Sequence, residues 1–178
     1  QKAFKRPLST AENSGWTNFH RTAGLDNALI RTLIAPDFLI HLQLGGQNVQ
    51  ANGLRRLSNF EVASRIAFRT IGGPPDDLLI KEAENNNLNT LDQVRTQVQR
   101  LIQLEKGKIH SYKMIRSWLG VSSAPDPSPA IAQFHGISPT NFGREADQEL
   151  EKFIDYIVFQ QKGDFRNLMT NKTAFPFT

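Results

Sequence analysis

Residues 55–79 read RRLSNFEVASRIAFRTIGGPPDDLL, and this stretch carries the pattern of one complete helix and the start of the next. Ser58 and Glu61 have the spacing of a capping box, in which each side chain bonds the backbone amide of the other residue. Apolar residues then recur at helical spacing and predict a buried stripe formed by Phe60, Ala63, Ile66 and Ala67. Glycines followed by prolines at 72–75 predict the end of the helix.

The charged residues of this stretch also follow the helical repeat. Glu61, Arg65 and Arg69 recur at intervals of four, which predicts a Glu61–Arg65 ion pair worth a few tenths of a kcal/mol. Asp76 and Asp77 are expected in the first turn of the following helix, where carboxylates interact favourably with the helix dipole. Most of these charges therefore have a structural explanation.

Helical signals continue on the N-terminal side. Ser9–Glu12 has capping-box spacing, and apolar residues repeat at helical intervals over Leu25–Ala35 until Pro36 interrupts them. Residues 38–44 alternate in a way that suits a short strand or a helix, and we favour the helix. Residues 45–53 (GGQNVQANG) predict a loop.

The C-terminal half has similar signals. Thr90–Gln93 forms a third capping box, and residues 106–108 (KGK) are expected to separate two helices. Trp118 lies in the apolar stripe of the second of these helices and is predicted to belong to the core. A Pro/Ser-rich connector follows over residues 120–136, and Ser138-Pro139 predicts the start of the longest helix.

The predicted fold class is therefore all-α, an irregular bundle of about six to eight helices with a Pro/Ser-rich connector. The chain is divided into a short N-terminal helical segment over residues 1–44, a linking loop over 45–54 and a helical domain over 55–178.

Composition excludes several kinds of chemistry. The chain contains no cysteine, so it has no disulfide, thiolate nucleophile, Cys-based zinc site or covalent haem attachment of its own. Its four histidines are widely separated and predict no metal site. No apolar run approaches the roughly 20 residues of a transmembrane helix. The net charge of +4 is concentrated before residue 73, but no dense basic run with aromatic residues indicates nucleic acid.

Three side chains remain as ligand-binding candidates, and none is assigned a catalytic role. Arg65 and Arg69 form an arginine pair that could bind a carboxylate, a haem propionate or a phosphate. Trp118 could stack against a ligand if it were exposed. Asp76 and Asp77 could in principle act as an acid/base pair, although adjacent carboxylates at a helix start usually cap the helix. The sequence therefore does not decide whether the chain is an enzyme.

Several of these motifs, taken in order, resemble one family. Residues 2–9 (KAFKRPLS) are similar to its "R-A-F-R-R-P-L-T" opening, and residues 33–39 (LIAPDFL) to its "L-L-x-S-P-E-F-L". Residues 57–68 (LSNFEVASRIAF) resemble its "L-S-x-Y-E-L-A-S-R-L-S-F", and residues 75–79 (PDDLL) its "P-D-D-x-L-L". The family is the helical domain of unknown function found in large planctomycete-type proteins that also carry cytochrome c domains, here with part of the small domain that precedes it.

The resemblance implies a context and no catalytic residue. It implies a periplasmic or extracellular location and a place among neighbouring domains or subunits, with cytochrome c as one such partner. A c-type haem would then belong to the parent protein or to a partner. We expect a non-catalytic structural and interaction module associated with c-type cytochrome electron transfer. The alternative is an accessory domain of a haem-dependent oxidoreductase that binds an anionic group through Arg65 and Arg69.

Overall fold

The computed structural model describes residues 3–40, 43–46, 49, 51–121, 126–136 and 142–175. Within these ranges the chain forms α1 (Thr10–Leu33), α2 (Pro36–Leu39), α3 (Asn59–Thr70), α4 (Asp77–Glu84), α5 (Leu91–Ile102), α6 (Glu105–Leu119), α7 (Pro129–His135), α8 (Phe142–Ile154), a π-helical segment (Asp155–Gln160) and α9 (Phe165–Thr170). The all-α prediction is confirmed, since an isolated bridge between Val49 and Arg55 is the extent of β-structure in the described residues.

The chain folds as two compact units, which are Gln1–Leu104 and Glu105–Thr178. The linking loop predicted at residues 45–54 lies inside the first of these units. That predicted division marks where the resemblance to the helical domain begins, and it stays a prediction. Among the described residues, no helix is both long and apolar enough to cross a membrane.

The core of the first unit lies between α3, α4 and α5. Seven side chains pack there and are at most 7% exposed: Ala63, Ile66, Ala67, Leu79, Ala83, Leu88 and Leu101. The apolar stripe predicted for α3 is therefore confirmed, and Phe60 packs against its edge. Small residues at 63 and 67 allow α3 to approach its two neighbours closely, because an alanine side chain adds little bulk between helix backbones.

The ends of these helices follow the predicted capping signals. Ser58 and Glu61 form a capping box on α3, and Thr90 and Gln93 form one on α5. Beyond the end of α3, Gly72 takes a φ of 64°, a left-handed conformation that glycine adopts without steric strain. The two capping boxes follow from sequence because the paired residues are three positions apart.

The first helix, α1, is broken in the middle. Gly24 has φ 82° and ψ 174°, which are not helical, so the helix signalled by Ser9 and the helix predicted from Leu25 meet at this residue. No residue of α1 is buried. The helix favoured for residues 38–44 is limited to α2, since Ile40 is extended and residues 43–46 are not helical. Residues 41 and 42 lie outside the described ranges.

In the second unit, the predicted helix break at residues 106–108 is wrong. Helix α6 begins at Glu105 and includes Gly107, which is buried in its first turn. The boundary between α5 and α6 falls at residues 103–104. A glycine between two lysines resembled a helix end, but Gly107 takes part in the helix and is buried there.

Helix α8 continues directly into the π-helical segment, and the two together bury Ile154 and Ile157. The chain then turns at Gly163, whose amide bonds the carbonyl of Ile157. Within the Pro/Ser-rich connector, Ser128 caps the short helix α7. The predicted N-cap at Ser138-Pro139 lies outside the described residues.

Candidate functional site

Glu61 is a hydrogen-bond centre of the first unit. One carboxylate oxygen accepts the amides of Leu44 and Gly45 at 2.7 and 2.9 Å, and the other accepts the amide and hydroxyl of Ser58 at 2.7 and 2.8 Å. Partial burial would raise the pKa of Glu61, but these hydrogen bonds outweigh it and hold the pKa below its usual value. The predicted Glu61–Arg65 ion pair is therefore wrong, because backbone amides occupy the carboxylate.

Arg65 and Arg69 are left exposed on α3, one turn apart. Neither guanidinium forms a hydrogen bond or ion pair with any other described residue. Like charges four residues apart on a helix repel each other by a few tenths of a kcal/mol. The pair is thus available to an anion.

Asp76 is committed to a structural role. Its carboxylate accepts two hydrogen bonds from Arg100 at 2.7 and 2.9 Å and one from the amide of Leu79 at 2.8 Å. The hydrogen bonds from Arg100, followed by the one from the amide, lower the pKa of Asp76 despite its partial burial. The carboxylate is therefore a helix cap joined to α5, as the capping interpretation of Asp76 expected.

A cavity of about 340 Å³ opens in the first unit between the N-terminal segment, α2 and the start of α3. Its apolar lining comes from Phe4, Ile40, Leu44 and Phe60, and its polar lining from Lys5, Arg6, Asp37, Ser58, Glu61 and Ser64, with the backbone of Gly45. The sequence did not indicate this cavity, because its walls come from segments up to sixty residues apart.

Arg6 contributes to the cavity wall but is already neutralised. It bonds both oxygens of Glu12 at 2.9 and 2.8 Å and Asp37 at 2.9 Å. The hydrogen bond from Arg6, with those from Ser9, lowers the pKa of Glu12 to about 2, and the bond to Glu12 in turn raises the pKa of Arg6. This cluster joins the N-terminal segment to α1 and α2.

Ser64 is the exception among the polar groups at the cavity. The residue is only 3% exposed, yet its hydroxyl forms no hydrogen bond with any described residue. Buried polar groups are nearly always paired, because an unpaired one loses its bonds to water. A buried hydroxyl that lines a cavity and lacks a partner indicates a ligand or an ordered water.

Trp118 does not belong to the core, so that prediction is wrong. Its ring is 60% exposed and contacts the edge of Phe165, which is also 60% exposed, at a centroid distance of 5.1 Å. Met114 lies one turn earlier on α6 and Met169 one turn after Phe165 on α9, both 55% exposed. Tyr112, Ile115 and Leu119 of the same predicted stripe are half-buried, whereas Trp118 lies at the edge of the stripe and stays exposed.

Sequence analysis missed a polar cluster in the second unit. Asp155 accepts hydrogen bonds from Tyr112 at 2.9 Å, Lys108 at 3.1 Å and Gln160 at 2.9 Å. The bond from Gln160 is the largest influence lowering the pKa of Asp155, while burial and then the bond to Asp155 raise that of Tyr112. No short-range signal could have found it, since Tyr112 and Asp155 are 43 residues apart.

No group of three or more metal-ligating side chains occurs among the described residues. No curated protein and no solved structure shows significant similarity to this chain. One family model does match: it covers residues 57–176, which include α3 to α9 and the Asp155 cluster. The chain therefore belongs to the family PSD4, described as Protein of unknown function (DUF1592).

Proposed function

We propose that this chain is a non-catalytic interaction module of a larger extracytoplasmic assembly that includes c-type cytochromes. The observation that carries the interaction role is the apolar face of α1. Leu25, Leu29 and Leu33 recur every four residues and are 60%, 53% and 52% exposed. Ile30 and Ile34 widen this surface and are 55% and 66% exposed.

An aliphatic surface three turns long is unusual on an isolated soluble domain. Its five side chains expose on the order of several hundred Å², comparable to the largest apolar patch of a typical monomer, which is often functional. A partner covering it would gain about 25 cal/mol for each Å² removed from water. Ala28 and Thr32, three residues after Leu25 and Leu29, lie on the adjoining side of the same helix and are half-buried, so the helix packs along one edge of its apolar stripe and leaves the leucines exposed.

Charge favours an acidic protein as the partner. Nine Lys/Arg but four Asp/Glu precede residue 73. Three of those carboxylates are occupied, since Glu12 and Asp37 bind Arg6 and Glu61 binds backbone amides. Arg65 and Arg69 are exposed cations in the same unit. A neighbouring domain or subunit with an apolar contact rimmed by carboxylates would match this unit.

The cytochrome context comes from the family resemblance, and it assigns different roles to this chain and to the haem-bearing segment. The chain has no cysteine, so a covalently attached c-type haem has to be carried by another segment of the parent protein or by a partner. The haem would supply electron transfer. This chain would contribute a docking surface next to it.

The intact mass and visible spectrum of the parent protein, isolated from its source, test this proposal. We expect a polypeptide or complex much larger than 20.1 kDa, with a reduced c-type haem band after dithionite. Cross-links from an acidic neighbour to residues flanking α1 are also expected. A free 20.1 kDa chain without haem absorbance would refute the cytochrome context. Cross-links confined to the second unit would refute the role of α1.

The exposed arginine pair favours a second candidate function, in which the domain binds an anionic group such as a haem propionate or an acidic substrate. Two guanidinium groups one turn apart can hold a carboxylate through charge-assisted hydrogen bonds. In the assembled protein, Arg65→Gln with Arg69→Gln should shift the haem reduction potential. Arg144→Gln, which removes an exposed arginine of the second unit, serves as the control. A haem farther than about 10 Å from both arginines would refute this function.

A further inference from the structure

We propose that the cavity of the first unit binds a small organic carboxylate with an apolar body, its anion held by Lys5 and a second polar atom held by Ser64. This site is separate from the docking face of α1 and the arginine pair of α3. The cavity volume of about 340 Å³ lies within the range of small-molecule sites and holds roughly ten non-hydrogen atoms.

Most polar groups at the cavity are already satisfied and cannot select a ligand. Arg6 and Asp37 bind each other at 2.9 Å, and Glu61 accepts four hydrogen bonds from the chain itself. Ser58 donates its hydroxyl to Glu61. Among the side-chain donors at the cavity, the ammonium of Lys5 and the hydroxyl of Ser64 are therefore the ones that bond no carboxylate.

Lys5 is held at the cavity in a strained conformation. Its φ of 57° lies in the left-handed region, which costs a non-glycine residue of order 1–3 kcal/mol and recurs at ligand-binding positions. Its ammonium lies 5.5 Å from the ring centroid of Phe68 and makes two long hydrogen bonds, to the carbonyls of Asp37 at 3.3 Å and Phe38 at 3.4 Å. A carboxylate would give this cation the full charge partner that it lacks.

The apolar walls indicate the rest of the ligand. Phe4 packs against Trp16, at a centroid distance of 5.6 Å, and Phe60 packs against the core. Ile40 and Leu44 are 56% and 70% exposed, so a ligand in the cavity would remove part of their surface from water. An aromatic ring or short alkyl chain suits these walls, whereas a sugar or phosphate would leave them uncovered.

Binding of 3-phenylpropionate to the ¹⁵N-labelled chain, followed by amide chemical shifts, tests the proposal. We expect saturable shifts at residues lining the cavity, with a Kd in the millimolar range or tighter for a ligand of this size. The neutral 3-phenylpropanamide should bind about 10- to 100-fold more weakly, since it lacks the charge-assisted bond to Lys5. Acetate, which lacks the apolar body, should not saturate.

Variants locate the two contacts. Lys5→Met should weaken binding of 3-phenylpropionate about 10-fold or more, and Ser64→Ala should weaken it about 3- to 10-fold. Lys106→Met removes an exposed lysine of the second unit and should leave the Kd unchanged. If Lys5→Met changes amide shifts throughout the chain, the variant is not folded as the original. The comparison of 3-phenylpropionate with 3-phenylpropanamide on the unaltered chain then tests the role of the anion.

Three outcomes would overturn this inference. One is that neither 3-phenylpropionate nor hexanoate shows saturable binding. Another is equal affinity for the acid and the amide, because the anion would then play no part. The third is binding that persists with unchanged Kd in a folded Lys5→Met chain and in Ser64→Ala. None of these results depends on a haem or a protein partner, so the interaction role stands or falls separately.

Discussion

The carboxylate of Glu61 accepts a hydrogen bond of 2.9 Å from the amide of Gly45, sixteen residues earlier in the chain. The same side chain completes the capping box of α3, so one residue both starts a helix and anchors the segment that precedes it. Gly45 is required at this contact, since it has φ 70° and an added Cβ would lie 2.7 Å from the Cβ of Arg55. Glu61 therefore joins the wall of the cavity to the core helices.

Replacing Glu61 tests this relationship. Glu61→Gln should lower the free energy of unfolding by about 1–3 kcal/mol at neutral pH, because charge-assisted hydrogen bonds to amides are lost. Urea unfolding measures the difference. Glu151→Gln, which removes an exposed carboxylate of the second unit, should change it little.

The effect of Glu61→Gln should also depend on pH. The pKa of Glu61 is lower in the folded chain than in the unfolded one, so its contribution is complete above the unfolded value of about 4.3. That contribution disappears as the pH falls through the folded pKa. The two unfolding free energies should converge in acid. A difference that stays constant across this range would contradict the role of the charge.

The ion pair between Asp76 and Arg100 should make a measurable contribution to stability. Their side chains are 32% and 26% exposed and share two hydrogen bonds. A double-mutant cycle with Asp76→Asn and Arg100→Met should give a coupling free energy of about 1 kcal/mol. The pair formed by Asp92 and Arg95, whose side chains are 88% and 58% exposed, should show no coupling beyond experimental error.

Trp118→Ala should have a small effect on stability. The ring is 60% exposed and its aromatic partner is Phe165, so we expect a loss of about 1 kcal/mol. Leu101→Ala, at a fully buried position, should cost about 2–5 kcal/mol. Thermal or urea unfolding compares the two. A loss for Trp118→Ala as large as that for Leu101→Ala would mean that the ring is buried in solution.

Replacing Gly163 and Gly15 with alanine should change the free energy of unfolding in opposite directions. In Gly163→Ala the new Cβ would lie 3.0 Å from the carbonyl oxygen of Ile157 and 3.0 Å from the Cβ of Asn167, so a loss of about 1–3 kcal/mol is expected. In Gly15→Ala the new Cβ would have no atom within 4 Å. Because alanine is the better helix former, this variant should raise the free energy of unfolding by about 0.5–1 kcal/mol. Equal changes in Tm would show that the close approach at Gly163 is absent.

Sequence alone was sufficient for features whose partners lie within one helical turn. The capping boxes at Ser9, Ser58 and Thr90, the stripe of α3 and the end of α3 near Gly72 all formed as predicted. The capping boxes depend on groups three residues away, and the stripe depends on apolar side chains that the helix geometry brings to one side wherever the helix lies. The all-α class follows from the same signals.

Tertiary structure decided the long-range pairings. Arg65 had the correct spacing to bind Glu61, but the loop at Leu44 and Gly45 supplied amides that took the carboxylate, leaving Arg65 exposed. Trp118 had the spacing of a core residue, but packing left it at the edge of its stripe against Phe165 and 60% exposed. The cavity, the unpaired hydroxyl of Ser64 and the Asp155 cluster likewise depend on segments far apart in sequence. A local pattern indicates which groups need a hydrogen-bond or apolar partner. Tertiary packing determines which partner each group contacts, because the partners come from distant segments.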